Sequence, residues 1–210
     1  MMLSKDQRTL DAVFKHLFTL LRSRKFLDLD DGYGEVPFFI CPFDPSLAQE
    51  IPERVSSLIT GLKENGIKCL HVNLYSLCIE ILKKSDTDDS DNTFKLISEQ
   101  EKDLEKSDLA DVFAEVLSPE HKLKPAIVKI IEDAPAYDLI MLSGVGEVYP
   151  YVRTHALLAS LEAVIVNKPL VILFPGKYLV SPNSGASLEL FGRLDNDRYY
   201  RATNILDCKI

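Results

Sequence analysis

Four short, almost uninterrupted apolar segments constrain the fold of this 210-residue chain more than any other feature. They occupy residues 36–41, 67–72, 137–143 and 169–174. Each has the length of one β-strand, and an unbroken apolar run is typical of a strand covered on both faces of a parallel sheet. None of these runs reaches the ~20 consecutive apolar residues that a membrane-spanning helix needs. We therefore expect no membrane association.

Amphipathic segments separate these apolar runs. Their apolar residues recur every three or four positions, which indicates helices that pack on a sheet. The predicted helices span residues 1–27, 45–64, 74–84, 94–117, 123–132 and 150–166. Strands that alternate with helices favour an α/β fold. We therefore predict a single domain over residues 1–210, with a three-layer, open, mostly parallel sheet and helices on both faces.

Two further segments follow different patterns. Residues 187–194 and 199–206 alternate apolar and polar side chains, and the turn-forming residues 195–197 separate them. This pattern predicts an antiparallel β-hairpin, spanning residues 187–206, at one edge of the sheet. Residues 85–92 contain no apolar side chain and predict a mobile acidic loop.

The distribution of charge limits the possible partners. The net charge of −8 argues against general affinity for nucleic acid, because that affinity depends on clustered Lys and Arg. Residues 80–108 contain ten acidic residues and five lysines, whereas residues 1–27 contain six basic residues and two acidic ones. We expect no direct DNA binding, and an accessory protein that contacts DNA through the basic N-terminal helix is an alternative.

The cysteines and the N-terminal residues both indicate a cytoplasmic location. None of the four cysteines forms a Cys-x-x-Cys pair, and three of them lie in apolar surroundings, as small core residues of a cytosolic protein usually do. The first residues mix charged and apolar side chains and lack the apolar block of a signal peptide. We therefore expect a cytoplasmic protein.

The sequence LFPGKY at residues 173–178 raises the question of a phosphate-binding loop. A Walker A loop needs a glycine five residues before its Gly-Lys pair and a Ser or Thr directly after it. This chain has Val171 and Tyr178 at those positions. The Gly-x-Gly at residues 144–146 begins a dinucleotide fingerprint, but Tyr149 stands where the third glycine belongs. We expect neither segment to bind a nucleotide.

Polar residues that follow the predicted strands are the remaining candidates for chemistry. The C-terminal ends of parallel strands share one rim of a sheet, where ligands usually bind. We expect Asp44, Ser143 and Glu147 at that rim. The two carboxylates would suit Mg²⁺, so a nucleotide- or metal-dependent enzyme or sensor is an alternative function.

The ordinary roles of these carboxylates are structural. Asp44 is placed to cap the helix that begins at Pro45, and Glu147 is suited to a position near a helix N-terminus. The spacing of the sequence supports no Ser-His-Asp or Cys-His arrangement. We therefore predict no catalytic residue, no bound metal and no cofactor.

Several motifs occur in a recognisable order. They are CPFD at residues 41–44, GVGEVYPYVRTH at 144–155, LFPGKY at 173–178, LELFG at 188–192 and YYRA at 199–202. This series resembles the BrxB family, a component of bacterial BREX phage-defence systems. The resemblance covers the chain from about residue 36 to its end. We interpret as a candidate structural or interaction motif the residues Gly144, Gly146, Tyr149, Pro150, Arg153, Pro175, Gly176, Tyr178, Phe191, Gly192, Tyr200 and Arg201.

The resemblance implies membership of a multi-protein system that blocks phage replication and is associated with methylation of host DNA. Other members of such systems include an AAA-type ATPase, a DNA methyltransferase and PglZ, which has an alkaline-phosphatase-like domain. The family supplies no established catalytic residue that could be carried over. We therefore expect a non-enzymatic adaptor that links other BREX proteins, with PglZ as the first partner and the AAA-type ATPase as a further one.

Overall fold

The computed structural model describes residues 10–30, 36–84, 105–181, 185–191, 194–198 and 201–209. These residues form one seven-stranded sheet. Separate hydrophobic cores lie on its two faces, each covered by helices. The predicted α/β fold with a mostly parallel sheet is therefore confirmed.

The strands and helices follow the order that the apolar pattern predicts. The strands are β1 (Phe38–Phe43), β2 (Cys69–Asn73), β3 (Leu139–Ser143), β4 (Leu170–Ser181), β5 (Gly185–Leu190), β6 (Leu194–Arg198) and β7 (Thr203–Asn204). The α-helices are α1 (Leu10–Leu20), α2 (Arg24–Leu27), α3 (Ile51–Glu64), α4 (Leu74–Lys84), α5 (Lys106–Val116), α6 (Lys124–Asp133) and α7 (Thr154–Leu161). Within the described ranges, no helix has both the length and the apolar character needed to cross a bilayer.

The parallel part of the sheet has the strand order β2-β3-β4-β1-β7. Strand β4 lies between β3 and β1, so that Leu142 and Ile40 both flank Ile172. Successive residues of a strand point to opposite faces. Helices cover both faces of β1, β3 and β4, so both sets of their side chains are buried, and this explains why the sequence shows unbroken apolar runs instead of alternation. Strand β2, at the edge of the sheet, is only partly buried.

Each face of the sheet has its own core. On one face, Ile40 and Ile172 pack with residues from α4, α6 and α7. On the other face, Phe39 and Val171 pack with residues from α1 and α3. Burial of these apolar side chains from two sides holds the central strands in place, and the strand ends are therefore a fixed frame for a site.

Strand β4 continues beyond the apolar run that predicted it. The predicted strand ended at Phe174, whereas β4 includes the whole FPGK sequence. Pro175 is the last residue of β4 that pairs with β1, opposite Phe43, and Gly176 is the first that pairs with β5, opposite Leu190. The strand therefore exchanges a parallel neighbour for an antiparallel one at this Pro-Gly step.

The predicted antiparallel pairing near the C-terminus is present, but different residues build it. Strand β5 pairs with the extended end of β4 and with β6. The turn predicted at residues 195–197 was wrong, because these residues lie within β6. The second hairpin strand predicted at residues 199–206 was also wrong, since Thr203–Asn204 pairs in parallel with β1. Alternation indicates strands, but it does not identify their neighbours.

Several predicted helices have different limits. The first six residues of the predicted helix 45–64 form a 3-10 helix, Pro45–Glu50, ahead of α3. The predicted helix 150–166 is shortened to α7, and turns occupy residues 145–151. The N-terminal helix predicted at residues 1–27 is divided into α1 and α2. Outside the described residues lie the predicted acidic loop 85–92, residues 1–9 of the N-terminal helix and residues 94–104 of the predicted helix 94–117.

We expect Gly176→Ala to destabilise the protein by about 1–3 kcal/mol, the usual cost of overpacking. A Cβ atom at this position would overlap the backbone carbonyl oxygen of Glu189 on β5, which cannot rotate away. Gly61→Ala in α3 is the matched control, because its Cβ would meet only the ring of Phe18, at 3.0 Å. Alanine also favours a helix over glycine by about 1 kcal/mol.

Urea denaturation measures both variants. A clear loss of unfolding free energy at Gly176 together with little loss at Gly61 supports the tight approach of β4 and β5. Equal effects at the two positions would contradict it.

Candidate functional site

A surface cleft lies where β1 and β3 reach their C-terminal ends and where β4 leaves its pairing with β1. Its volume is ≈170 Å³. The 3-10 helix forms one wall, the turns after β3 form another, and the Pro-Gly step of β4 forms the floor. The cleft is lined by Phe43, Ala48, Ile51, Gly144, Val145, Gly146, Glu147, Leu173, Pro175 and Phe191. Among the described residues that line the cleft, Glu147 is the only ionisable one.

Three of the sequence motifs meet at this cleft. A Cβ atom on Gly146 would lie 2.6 Å from Cγ of Pro175 and 3.3 Å from the ring of Phe191, so only glycine allows the three segments to approach so closely. The backbone N–H of Phe191 donates to the carbonyl oxygen of Pro175 at 2.9 Å. The ring of Tyr149 meets that of Phe191 edge to face, with 6.1 Å between centroids. The structure thus brings together residues that are far apart in the sequence.

Phe191 has two unusual properties. Its φ angle is 55°, in the left-handed region that residues with a side chain seldom adopt. Its side chain is also a large apolar group that remains 39% exposed at the wall of the cleft. A strained backbone and an exposed aromatic ring at the same position are features of recognition sites, where surrounding structure enforces the unfavourable conformation.

A polar network adjoins the cleft at the ends of β2 and β3. Nε2 of His71 lies 2.8 Å from Oγ of Ser143, and Nδ2 of Asn73 donates to the same oxygen at 3.3 Å. Oδ1 of Asn73 accepts from the backbone N–H of Ser76, at the start of α4. Ser143 is only 4% exposed. The network therefore holds a buried hydroxyl in place beside Gly144, which lines the cleft.

The protonation state of His71 follows from this arrangement. Burial lowers the pKa of the imidazole, although part of the residue reaches solvent. Since Asn73 donates to the oxygen of Ser143, the hydroxyl hydrogen is available to Nε2 of a neutral His71. No pattern in the sequence indicated a role for His71, because its pairing with Ser143 depends on β2 and β3 being neighbours in register.

The two predicted rim carboxylates have separate environments. Asp44 accepts hydrogen bonds from the backbone N–H of Ser46 at 2.9 Å and from its hydroxyl at 2.8 Å, and so caps the 3-10 helix as predicted. These bonds lower the pKa of the Asp44 carboxyl. Glu147 is exposed on the wall of the cleft. Among the described residues, no group of three or more His, Cys, Asp or Glu side chains is arranged to hold a metal ion.

The cysteines lie outside this site and in the hydrophobic parts of the molecule. Burial raises the pKa of each of the four thiols to about 12, and the charge of Asp207 adds to the effect at Cys208. The thiolate, which is the reactive form, is therefore disfavoured near neutral pH at all four positions.

Other motif residues join the C-terminal segment to the sheet and to α7. The hydroxyl of Tyr178 donates to the carbonyl oxygen of Ala202 at 2.7 Å, and burial raises the pKa of this tyrosine, with the charge of Asp207 as a lesser cause. Arg201 forms an ion pair of 3.3 Å with Glu162 at the end of α7.

The remaining motif residues lie before α7 or outside the described ranges. Arg153 is exposed and stands at the N-cap position of α7 without capping it through its side chain. Pro150 follows a cis peptide bond in the turn that precedes α7. Gly192 and Tyr200 lie outside the described residues.

Comparison with known proteins identifies relatives of one kind. A family model described as "BREX protein BrxB" matches residues 70–205. A BREX protein BrxB of Bacillus cereus (strain H3081.97) is 30% identical over 184 residues, which cover 84% of this chain and 87% of the relative. A BREX protein BrxB of Escherichia coli O9:H4 (strain HS) is 26% identical over 202 residues, which cover 94% of each protein. No solved structure matches the chain significantly.

We expect His71→Gln to change the pH dependence of stability. The folded state lowers the pKa of His71, so the unfolded state binds more protons below the reference pKa of about 6.5, and this contribution to stability is lost as the pH falls from 7 through that value. The stability of the wild type should therefore decline relative to that of the variant between pH 7.5 and pH 5.5.

Denaturant unfolding at the two pH values checks this expectation. His121→Gln, at an exposed histidine, is the control for removing an imidazole from the surface. A difference between wild type and His71→Gln that does not change with pH would contradict the lowered pKa of His71.

Proposed function

The chain belongs to the BrxB family, a component of BREX systems, and we propose that it acts there as a non-enzymatic assembly protein that links other proteins of the phage-defence complex. PglZ is the first partner to consider and the AAA-type ATPase is the second.

The convergence of the family motifs on the cleft is the observation that carries this proposal. Gly146, Pro175 and Phe191 are chemically inert side chains that shape a surface, and none of them can transfer a proton or attack a substrate. A preformed apolar cleft with an exposed aromatic ring at its wall has the character of an interaction hot spot. The motif residues at this cleft thus favour recognition over chemistry.

A second surface of opposite character supports a linking role. Lys15, Arg22, Arg24 and Lys25, on or near α1 and α2, are all exposed and outnumber the exposed Asp11, Asp28 and Asp30 of the same segment. The surroundings of the cleft carry acidic side chains instead. A protein that joins two partners needs two surfaces with different preferences, and surfaces of opposite charge select different partners.

We expect the paired substitution Arg22→Glu and Arg24→Glu to weaken co-purification with a BREX partner that binds the basic surface. The loss should be roughly tenfold, because close charge pairs at an interface contribute about 1.5 kcal/mol or more. The measurement is the yield of PglZ and of the ATPase recovered with a tagged chain from cells that express the whole system.

The matched control reverses two exposed lysines on another surface, Lys122→Glu and Lys129→Glu, and should leave the yield unchanged. Unaltered recovery with the arginine variant would remove the basic surface from the interface. Failure of the wild-type chain to recover any BREX protein would refute the adaptor proposal itself.

The contact between His71 and Ser143 is the specific observation that favours a second candidate function. A hydroxyl 2.8 Å from an imidazole nitrogen is the core of a nucleophilic dyad, and it lies at the rim where the alternative enzyme or sensor would act. Two features oppose this function: Ser143 is almost fully buried, and the Asp44 carboxylate already caps the 3-10 helix.

We expect two single substitutions, Asp44→Asn and Ser143→Ala, to leave phage restriction intact. Each removes a group that acid–base, metal or nucleophilic chemistry at the rim requires, while keeping the size of the side chain nearly constant. Plaque assays in cells that carry the complete system give the readout, with thermal melting as the check that each variant folds. Loss of restriction by a folded variant that still recovers its partners would favour the enzyme function.

A further inference from the structure

We propose that the cleft is the docking site for a segment of a partner protein that inserts one large apolar side chain and carries Lys or Arg beside it. This inference rests on the proposed assembly function and specifies the chemistry of the partner.

The lining of the cleft selects an apolar group. Leu173 and Pro175 form its floor, and Ile51, Val145 and Phe191 contribute to its walls. Its volume of ≈170 Å³ is close to that of a cavity of about 150 Å³ that holds one benzene molecule. The cleft therefore has room for one aromatic ring or one branched aliphatic side chain, which is the usual size of a single interface anchor.

The surroundings of the cleft select a positive charge next to that apolar group. Residues 44–53, which include the wall formed by the 3-10 helix, contain Asp44, Glu50 and Glu53 and no Lys or Arg. The opposite wall, residues 144–149, contains Glu147 and again no basic residue. All four carboxylate residues are exposed.

Among the described residues, two basic side chains close in sequence to the lining, Lys177 and Arg54, are each paired with a carboxylate, Lys177 with Glu189 at 3.7 Å. Arg54 forms its short ion pair, 2.6 Å, with Asp11 of α1 and lies 3.7 Å from Glu50. Its charge is therefore shared with a carboxylate from a different part of the molecule. An apolar cleft between acidic walls is complementary to an apolar residue flanked by Lys or Arg, and it repels the phosphates of nucleic acid.

The cleft is also formed in advance of binding. The hydrogen bond from Phe191 to Pro175, the tight approach of Gly146 and the edge-to-face contact with Tyr149 fix the aromatic wall. A partner segment that enters this cleft does not have to order it, and a preorganised site loses less free energy on binding.

A peptide array tests the inference. Short overlapping peptides that cover the sequences of the other proteins of the BREX system are immobilised on a membrane support and probed with the labelled full-length chain. The peptides that bind should share an aromatic or branched aliphatic residue with Lys or Arg within two positions. Their affinities are then measured by fluorescence anisotropy with wild type and variants. Ala48→Phe fills the cleft from the half-buried wall of the 3-10 helix, and Ala114→Phe places the same ring on an exposed face of α5 as the control.

A second pair of variants tests the charge. Glu147→Lys reverses the carboxylate on the wall of the cleft, and Glu132→Lys makes the same change at an exposed position of α6. We expect Ala48→Phe and Glu147→Lys each to weaken peptide binding about tenfold or more, as loss of a central anchor or a close charge pair does. Both controls should stay within about twofold of wild type, as substitutions away from an interface do.

The outcomes separate this inference from the proposed function. Peptides that bind Ala48→Phe as well as wild type, or that share no basic residue, would overturn the inference. An array with no bound peptide would also overturn the inference. If the tagged chain nevertheless recovers intact BREX proteins, the proposed assembly function still stands. Sedimentation velocity reports a further alternative: a dimer that Ala48→Phe abolishes would make a second copy of this chain the occupant. Failure to recover any BREX protein would remove the proposed function as well.

Discussion

The exchange of neighbours along β4 is the constraint on which the candidate site depends. The first half of this strand is held between β3 and β1, and its extended end pairs antiparallel with β5. The exchange occurs at Pro175 and Gly176, where proline lacks an N–H to donate and glycine leaves room for the backbone of β5. Because β5 ends beside Pro175, Phe191 is placed at the cleft and held there through its backbone N–H.

The rest of the molecule makes this exchange possible. Two hydrophobic cores, one on each face, hold the parallel strands rigidly, so that the ends of β1 and β3 and the Pro-Gly step of β4 form one fixed rim. Glycine and proline at this rim determine the path of the backbone. Gly144, with φ of 77°, turns the chain directly after the buried Ser143, and its missing Cβ leaves space for the start of α4. Glycine and proline meet requirements of backbone geometry and carry no reactive group. The family motifs therefore do not indicate a particular reaction.

The charges around the cleft restrict which partners can bind it, which apolar packing alone would not do. The cleft lies between acidic segments, while the exposed side chains near α1 and α2 include several basic ones. Apolar contact supplies most of the affinity at an interface, whereas charge determines which partners approach and in which orientation. The arrangement suits a protein whose role is to bring different members of a complex together. The hydrogen bond between His71 and Ser143 fits a structural role in this scheme, as a polar link between adjacent strand ends.

The sequence by itself determined the α/β class, the four parallel strands β1 to β4, the helices that cover them, the cap at Asp44 and the resemblance to the BrxB family. These properties depend on local patterns. Apolar runs indicate buried strands, apolar residues at three- and four-residue intervals indicate helices, and an Asp before Pro-Ser indicates a helix cap. Only the tertiary structure decided that β4 lies between β3 and β1, that β4 continues through FPGK, and that residues 195–197 belong to a strand. It also decided that Gly146, Pro175 and Phe191 meet and that His71 reaches Ser143. The physical reason is that a local pattern fixes how deeply a segment is buried, whereas its neighbours are chosen by the packing of the whole sheet.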